Sequence, residues 1–325
     1  MATLLRVIAE RIQPGTALSD RLLDWPGDIT AAGASVPLRL AGALHGLVLD
    51  GSDDGLRGVY PPHDVPTDDA LWSAVDAAMT LHSARIHRWL DRPPQTNEVG
   101  RSAVLIALGH WLTQRLKRPL HLSELGASAG LNLMWDHYAM ATGTQRVGPQ
   151  SAPLTLSPEW TGDQIPQDRP NVCQRRGVDL TPIDPKSPQE ALRLQAYIWP
   201  DQRQRLHRCR AALSVADAIV DQADAADWLA DRLGTQTSGT CHLVYHTIAQ
   251  QYFPKPVTAR IRQLLETAGT MATPDTPLAW FGMETDDRSP GAGMTLRLWP
   301  GDMCFDMGRV DFHGRWVDWR PKQVK

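Results

Sequence analysis

The residues with the clearest chemical spacing lie in one stretch, Leu122–Tyr138, which reads LSELGASAGLNLMWDHY. A short apolar strand leads into Glu124, and the small residues Gly126–Gly130 follow. The next apolar residues have the spacing of a helix. A strand, a glycine turn and a helix place backbone N–H groups and the positive end of the helix beside an empty space. The stretch therefore predicts a ligand-binding loop.

Two kinds of chemistry fit this loop. In the acid-x-Gly-x-x-x-Gly pattern of class I S-adenosylmethionine-dependent methyltransferases, Glu124, Gly126 and Gly130 match, and Ser128 replaces a common middle glycine. The same residues also read G-x-S-x-G, a nucleophile elbow with Ser128 as nucleophile. A third interpretation is a turn in which the glycines only allow tight packing. The dinucleotide fingerprint G-x-G-x-x-G is not met, because Ser128 and Leu131 occupy glycine positions.

Polar residues end the later predicted strands in the order that S-adenosylmethionine binding needs. Asp179 is expected to bind the ribose hydroxyls, and Asp224 to meet the adenine edge. His246 ends a further strand, where the sulfonium and the substrate are expected, and is the leading candidate for a base. Tyr252 and Glu98 are additional polar candidates. Asp179 and Asp224 also suit helix caps or turns, and His246 a hydrogen-bonded core histidine.

A polar group precedes the loop, with the sequence Gln95-Thr96-Asn97-Glu98-x-x-Arg101. Asn97 suits a helix cap, and Glu98 suits the positive end of that helix. Helical spacing puts Asn97 or Glu98 on the face that carries Arg101. The group is expected either to form a structural cap and ion pair or to line a substrate wall with Gln95 and Asn97, beside the loop and His246.

A serine hydrolase is the alternative enzyme. A nucleophile elbow normally follows several strands and an oxyanion loop such as HGGG, whereas the residues before Ser128 predict only helices. His246 or His313 would then supply the base, with Asp179, Asp224 or Glu284 orienting it.

Composition limits the remaining classes of function. The chain has 325 residues, a formal net charge of −3 and scattered basic residues, which argues against a nucleic-acid partner. No apolar run approaches the ~18 residues of a membrane span, and no signal peptide is recognised at the N-terminus. The 4 cysteines are widely spaced, so a cytoplasmic protein without a bound metal is expected.

Hydrophobic periodicity divides the chain in two. Residues 1–118 predict an all-helical lobe, with helices over 2–24, 37–50, 68–90 and 97–116. Residues 119–325 alternate strands and helices, the mark of a parallel α/β sheet. The predicted strands cover 120–125, 172–179, 218–222, 240–247 and 277–284, followed by three strand-like pieces after Met294. A Gly-, Pro- and Ser-rich insertion covers 142–170, with a hairpin expected around 153–157.

Several stretches resemble an uncharacterised bacterial family, domain of unknown function 2332. They are PLRLAGALHGLVLDG, QTNEVGRS, LSELGASAGLNL, RRGVDLTPID, IWPDQ, VYHTIAQQYFP and LRLWPGD. The resemblance covers about residues 37 to 319 and implies a class I methyltransferase-like core without an established reaction. The sequence lacks an Asn/Asp-Pro-Pro-Tyr motif at its fourth strand, which argues against methylation of DNA amines.

These observations predict an α/β fold with a Rossmann-like, class I methyltransferase-type sheet and an all-helical N-terminal lobe. The expected function is methyl transfer from S-adenosylmethionine to an unknown small molecule. Glu124, Gly126, Ser128, Gly130, Asp179 and Asp224 are expected to hold the cofactor. His246, Glu98 and Arg101 are expected to act on the substrate, with Gln95, Asn97 and Tyr252 binding it. A protein that binds S-adenosylmethionine or a nucleoside without catalysis is a further alternative.

Overall fold

The computed structural model describes residues 1–64, 66–235 and 237–325. Contacts group these residues into two compact units, one of residues 1–96 and 185–207 and the other of residues 97–184 and 208–325. Each unit is described separately below.

The helices begin before any strand and return between the later strands. Those of the described residues are α1 (Ala2–Arg11), α2 (Ala17–Leu23), α3 (Val36–Leu49), α4 (Asp54–Val59), α5 (Asp68–Leu81), α6 (Ser83–Leu90), α7 (Ser102–Leu116), α8 (Pro188–Ala196), α9 (Arg203–Leu213), α10 (Ala225–Leu233) and α11 (Lys255–Met271). Among them, none is both long and apolar enough to cross a bilayer.

The first unit packs α1–α6 together with α8, a helix from much later in the chain. Trp89 donates its indole N–H to the hydroxyl of Tyr197 at 3.0 Å, and Nδ1 of His45 lies 3.0 Å from the carbonyl of Ala196. A Cβ on Gly42 would come within 2.4 Å of the Tyr197 ring, so α3 needs a glycine there. The segment around α8 is therefore an integral part of the helical core.

The second unit is built on a nine-stranded sheet. The strands of the described chain are β1 (Leu120–Leu125), β2 (Ala139–Ala141), β3 (Arg146–Val147), β4 (Thr155–Leu156), β5 (Glu159–Gly162), β6 (Val172–Asp179), β7 (Ile219–Gln222), β8 (Cys241–Thr247), β9 (Leu278–Glu284), β10 (Ala292–Trp299), β11 (Met303–Val310) and β12 (Trp316–Gln323). Their order in the large sheet is β5-β12-β11-β10-β9-β8-β1-β6-β7.

Five neighbouring strands, β7-β6-β1-β8-β9, are parallel. The chain moves outward from β1 through β6 to β7 and then crosses to β8 on the other side of β1. The direction of winding thus reverses between β1 and β8, and sheets of this kind bind ligands at the carboxyl ends of the strands at such a point. All residues of β1 and β8 are buried, as expected for central parallel strands.

The rest of the large sheet is mostly antiparallel. Strands β9 to β12 form a meander, and β5 adds to β12 in parallel. In a separate three-stranded sheet, β3-β2-β4, the strands β3 and β4 of the predicted insertion pair with β2, whereas β5 of the insertion joins the large sheet. The mixed α/β class predicted from the sequence is confirmed.

Three local predictions were wrong. Residues 131–137 form a 3-10 helix, not the start of an α-helix, and the hydroxyl of Tyr138 bonds back to the carbonyl of Leu131 at 2.7 Å. The expected hairpin around 153–157 is absent from the described residues, because β4 pairs in parallel with β2. Residues 51–66, which are rich in Gly, Asp and Pro and predict a loop, contain the helix α4 over Asp54–Val59, which Asp53 caps.

The division of the chain at residue 118 stays a prediction. Before that residue, the described chain contains helices, and β1 is the first strand. By contacts, however, α7 groups with the sheet, and residues 185–207 group with the early helices.

Candidate functional site at the carboxyl edge of the sheet

The loop after β1 has an unusual backbone. Gly126 and Gly130 adopt φ of 72° and 69°, and Ser128 adopts a φ of 54°. Ile248, just after β8, has a φ of 51°. A left-handed conformation is rare for a β-branched residue, and such strain is concentrated at functional sites. The two strands beside the winding reversal, β1 and β8, are therefore each followed by residues in the left-handed backbone conformation, which glycine adopts most readily.

The backbone N–H groups of the loop are occupied by the protein itself. Those of Gly126 and Ala127 donate to the carbonyl of Val178, at 2.9 and 3.0 Å. That of Ser128 donates to Asp179 at 2.9 Å, and that of Leu131 donates to Asn97 at 2.9 Å. The expectation of open amides beside an empty space was wrong for these groups, because β6 and the chain before α7 satisfy them. Recognition at this loop falls to side chains.

The two loop glycines permit close packing. A Cβ on Gly126 would lie 2.7 Å from the Cβ of Ala249, and one on Gly130 would lie 3.0 Å from Cγ2 of Val220. The loop is thus packed against the chain that follows β8 and against β7.

Glu124, near the end of β1, has a buried carboxyl group at this edge. Its side chain is 2% exposed, and its Oε2 is buried without a hydrogen-bond partner in the described chain. Burial raises the pKa of this carboxyl well above its usual value, the nearby Arg101 guanidinium opposes the shift, and Asp179 adds to it. A buried acid with an open oxygen can accept a hydrogen bond from a cationic ligand.

The two aspartates after β6 and β7 both hold backbone. Asp179 accepts the N–H groups of Ser128 and Thr181, each at 2.9 Å, one on each carboxylate oxygen. Asp224 caps α10 by accepting the N–H groups of Ala226 and Asp227. A carboxylate oxygen has two lone pairs, so these bonds leave both residues capable of further contacts. Their expected roles in binding stay predictions.

The polar segment before α7 lies at the carboxyl edge. Asn97 bonds to the loop at Leu131, as given above, and Arg101 donates to the carbonyl of Thr247 at 2.9 Å, at the end of β8. Arg101 also donates to the carbonyl of Phe312 at 3.0 Å, in the turn between β11 and β12. Glu98 accepts the N–H of Gly100 at 3.1 Å. The segment thus ties together the ends of β1 and β8 and this turn.

His246 is enclosed at the end of β8. Its Nδ1 lies 2.7 Å from Oε1 of Glu284, and its Nε2 accepts the indole N–H of Trp280 at 3.1 Å. Because an indole N–H can only donate, the neutral ring carries its proton on Nδ1. Both nitrogens are engaged, and the residue is buried. Its expected role as a base stays a prediction, but a substrate would first have to displace Trp280.

His313 joins this edge from the turn between β11 and β12. Its Nδ1 lies 3.4 Å from Oε2 of Glu98. The sequence predicts His313 only as a possible hydrolase base, and its place beside Glu98 is visible only in the structure. The edge cluster is defined here as Asn97, Glu98, Arg101, Glu124, Asp179 and His313.

Three other expected site residues lie in different settings. Gln95 belongs to the first compact unit, so its role stays a prediction. Tyr252 is 77% exposed. The Oγ of Ser128 is buried and has no hydrogen-bond partner among the described residues, which leaves the hydrolase hypothesis without a base beside its nucleophile. Across the described chain, no group of three His, Cys, Asp or Glu side chains is placed to hold a metal ion.

A second polar group, the inner cluster, consists of His121, Ser123, Arg232 and His242. The rings of His121 and His242, paired across β1 and β8, stack at 4.3 Å. Nε2 of His242 lies 2.8 Å from Oγ of Ser123, and Nε2 of His121 contacts the guanidinium of Arg232. Burial and Arg232 lower the pKa of His121 to about 4. Burial, His121 and Arg232 lower the pKa of His242 well below its usual value.

Comparison with known proteins identifies a family but no activity. A search of curated proteins finds no match for the chain. A family described as "Uncharacterized protein conserved in bacteria (DUF2332)" matches residues 1–319. With this match over nearly its whole length, the chain belongs to the DUF2332 family.

Proposed function

We propose that this protein binds S-adenosylmethionine at the carboxyl edge between β1 and β8 and methylates a small molecule. The observation that carries the proposal is Glu124, whose buried Oε2 has no partner in the described chain, directly before a glycine loop at the winding reversal. The α-ammonium group of the ligand would supply the missing partner.

The residues at the edge fit two groups of S-adenosylmethionine. Glu124 suits the ammonium group, and Asp179, which accepts the N–H of Ser128 in the loop, suits the ribose hydroxyls because a carboxylate is an acceptor. The bound ligand supplies an electrophilic methyl group. The protein's own contribution is then to align the acceptor and, where necessary, to remove its proton.

One observation favours a second candidate, a protein that binds the ligand without methyl transfer. His246, the expected base, already bonds Glu284 and Trp280 through its two nitrogens. This candidate shares the binding site with the first and differs from it only in turnover.

Isothermal titration with S-adenosylmethionine and S-adenosylhomocysteine tests the proposal. Burial raises the pKa of the Glu124 carboxyl well above its usual value, so binding of an ammonium group, which favours the carboxylate, should release a proton. The apparent enthalpy should therefore differ between buffers of high and low ionisation enthalpy, and Glu124→Gln should abolish that difference. At about 1 mM ligand, even a binding free energy of only ~4 kcal/mol is detected. Absence of heat with both ligands at this concentration would therefore refute the proposal.

Turnover separates the two candidates. A methyltransferase should consume S-adenosylmethionine in the presence of some compound from a panel of small amines, alcohols, thiols and carboxylic acids. Binding without consumption across such a panel would favour the non-catalytic protein.

A further inference from the structure

Glu98 and His313 face each other at the carboxyl edge. The distance of 3.4 Å between Oε2 and Nδ1 is that of an ion pair when the imidazole is protonated. The Glu98 side chain is 5% exposed and that of His313 is 43% exposed. Because Nδ1 of His313 is itself buried, the exposed part of the ring includes the edge that carries Nε2. The imidazole therefore faces a carboxylate on its Nδ1 side, without a hydrogen bond to it, and is open on the other side.

The turn that carries His313 is docked closely on the segment that carries Glu98. A Cβ on Gly100 would lie 2.2 Å from the carbonyl oxygen of His313, and one on Gly314 would lie 2.2 Å from the carbonyl oxygen of Gly100. Arg101 adds its bond to Phe312. Backbone packed at this distance leaves little freedom to the turn, so His313 is held in place before any ligand binds.

The turn is also rigid within itself. Asp311 is buried and accepts the N–H groups of His313 and Arg315 at 3.0 and 3.2 Å. It also forms a bidentate ion pair with the guanidinium of Arg315, at 2.8 and 2.7 Å. A preorganised side chain of this kind is what proton transfer requires.

The pair is linked to the ligand loop through consecutive residues. Asn97 bonds the loop at Leu131, and Glu98, the next residue, faces His313. Arg101, three residues on, reaches the end of β8 at Thr247. His313 thus lies on the same edge as the loop, whereas His246 is closed off by Glu284 and Trp280.

We propose that His313 is the base of this site and that Glu98 is its positioning residue. The inference rests on the proposed function, since it assigns the proton acceptor of that same site. Nε2 of His313 takes the proton from the nitrogen, oxygen or sulfur of the acceptor, and the electron pair of the broken bond stays on that atom as the nucleophile. Glu98 faces Nδ1 and forms an ion pair with the imidazolium once the ring is protonated, which stabilises that cation as carboxylates do beside catalytic histidines.

Footprinting with diethyl pyrocarbonate, read by peptide mass spectrometry on the full chain, tests the assignment. His137 is a matched control, because it is 47% exposed and its Nε2 lies 4.0 Å from a carboxylate oxygen of Asp136. Saturating S-adenosylhomocysteine should slow the modification of His313 at least about fivefold and leave His137 unchanged. Glu98→Gln should slow the modification of His313 alone, because a carboxylate that stabilises the imidazolium makes Nε2 more nucleophilic.

The outcomes distinguish the two proposals. If calorimetry detects no binding of S-adenosylhomocysteine, the proposed function fails, and this assignment fails with it. If the ligand binds but His313 reacts at the same rate with and without it, the assignment alone is overturned. Where an acceptor is found, His313→Ala should lower kcat at least about 100-fold, with partial rescue by added imidazole. Full activity of that variant would equally overturn the assignment.

Discussion

Strand β1 contributes residues to two polar clusters that differ in charge. In the inner cluster, burial keeps His121 and His242 neutral, and their Nε2 atoms contact Arg232 and Ser123. In the edge cluster, Glu124 keeps an open oxygen within the described chain, and His313 is partly exposed.

This difference shows that burial of polar groups alone does not mark a site. In the inner cluster the neutral rings stack and each has a polar partner on Nε2, while the Nδ1 atoms of both rings are buried without a hydrogen-bond partner in the described chain. The edge cluster differs in that it combines a buried carboxyl, which has an open oxygen, with a partly exposed histidine, and such groups can bind a polar ligand. Changes of pH and single substitutions in each cluster test this contrast.

Acid should destabilise the protein through the inner cluster. The pKa of His121 lies near 4 in the folded protein and near 6.5 in the unfolded chain. As the pH falls below 6.5, the unfolded chain takes up the proton first, so the free energy of unfolding decreases until about pH 4. His121 alone should account for about 3 kcal/mol of this loss.

Urea unfolding at several pH values measures this dependence. His121→Gln should flatten the dependence between pH 6.5 and 4, whereas His137→Gln, at an exposed position, should leave it unchanged. An equally steep dependence in the His121 variant would show that the inner cluster is not neutral in the folded protein.

Gly100→Ala should disturb the edge cluster by pushing the turn that carries His313 away from the backbone at residue 100. The added Cβ would lie 2.2 Å from the carbonyl oxygen of His313, so the turn must move. The expected loss in the free energy of unfolding is about 2 kcal/mol. Gly234→Ala is the control, because its Cβ would meet nothing closer than 3.4 Å. Equal stability of the two variants would mean that the turn is not tightly docked.

Asp179→Ala should weaken binding of S-adenosylhomocysteine by about 1–3 kcal/mol, because a charged hydrogen bond to the ribose is lost and Ser128 loses its anchor. Titration calorimetry measures the change. Asp231→Asn, at an exposed position on α10, serves as the control. An unchanged affinity in Asp179→Ala would remove this residue from the site.

Glu124→Gln should stabilise the free protein by about 1 kcal/mol at pH 7.5. Its pKa is raised on folding, so the unfolded chain releases the proton at a lower pH than the folded protein. Stability is therefore lost as the pH rises above about 4.5, and the neutral amide removes that loss. Thermal unfolding at pH 5 and pH 7.5 compares the stability of the variant with that of the wild type. A variant that is less stable than the wild type at pH 7.5 would contradict the conclusion that the Glu124 carboxyl is desolvated and has an open oxygen.

The sequence predicts the strands well where local pattern decides them. The segments that become β1, β6, β8 and β9 end at acids or turns, and alternation with helices implies a parallel sheet. Local pattern failed at Leu131–His137, because the spacing of its apolar residues also suits an α-helix. The segment forms a tighter 3-10 helix instead, and the hydroxyl of Tyr138 bonds to the carbonyl of Leu131 at its start.

Contacts distant in sequence could not be predicted in this way. The turn between β11 and β12 brings His313 to Glu98. In the first unit, which consists of two separate chain segments, Tyr197 of the later segment bonds to Trp89 of the earlier one. One sequence signal was available, because Gly100 interrupts an otherwise helical pattern, and such glycines often mark close packing. The carbonyl that approaches it is visible only in the structure.

A crystal structure with S-adenosylhomocysteine tests most directly whether the carboxyl edge, not the inner cluster, is the ligand site. The ligand should lie at the carboxyl ends of β1 and β8, with its ammonium group at Glu124 and its ribose at Asp179. The inner cluster should be unchanged and distant from the ligand. Density for the ligand elsewhere on the protein, or against His121 and His242, would contradict the assignment of the site.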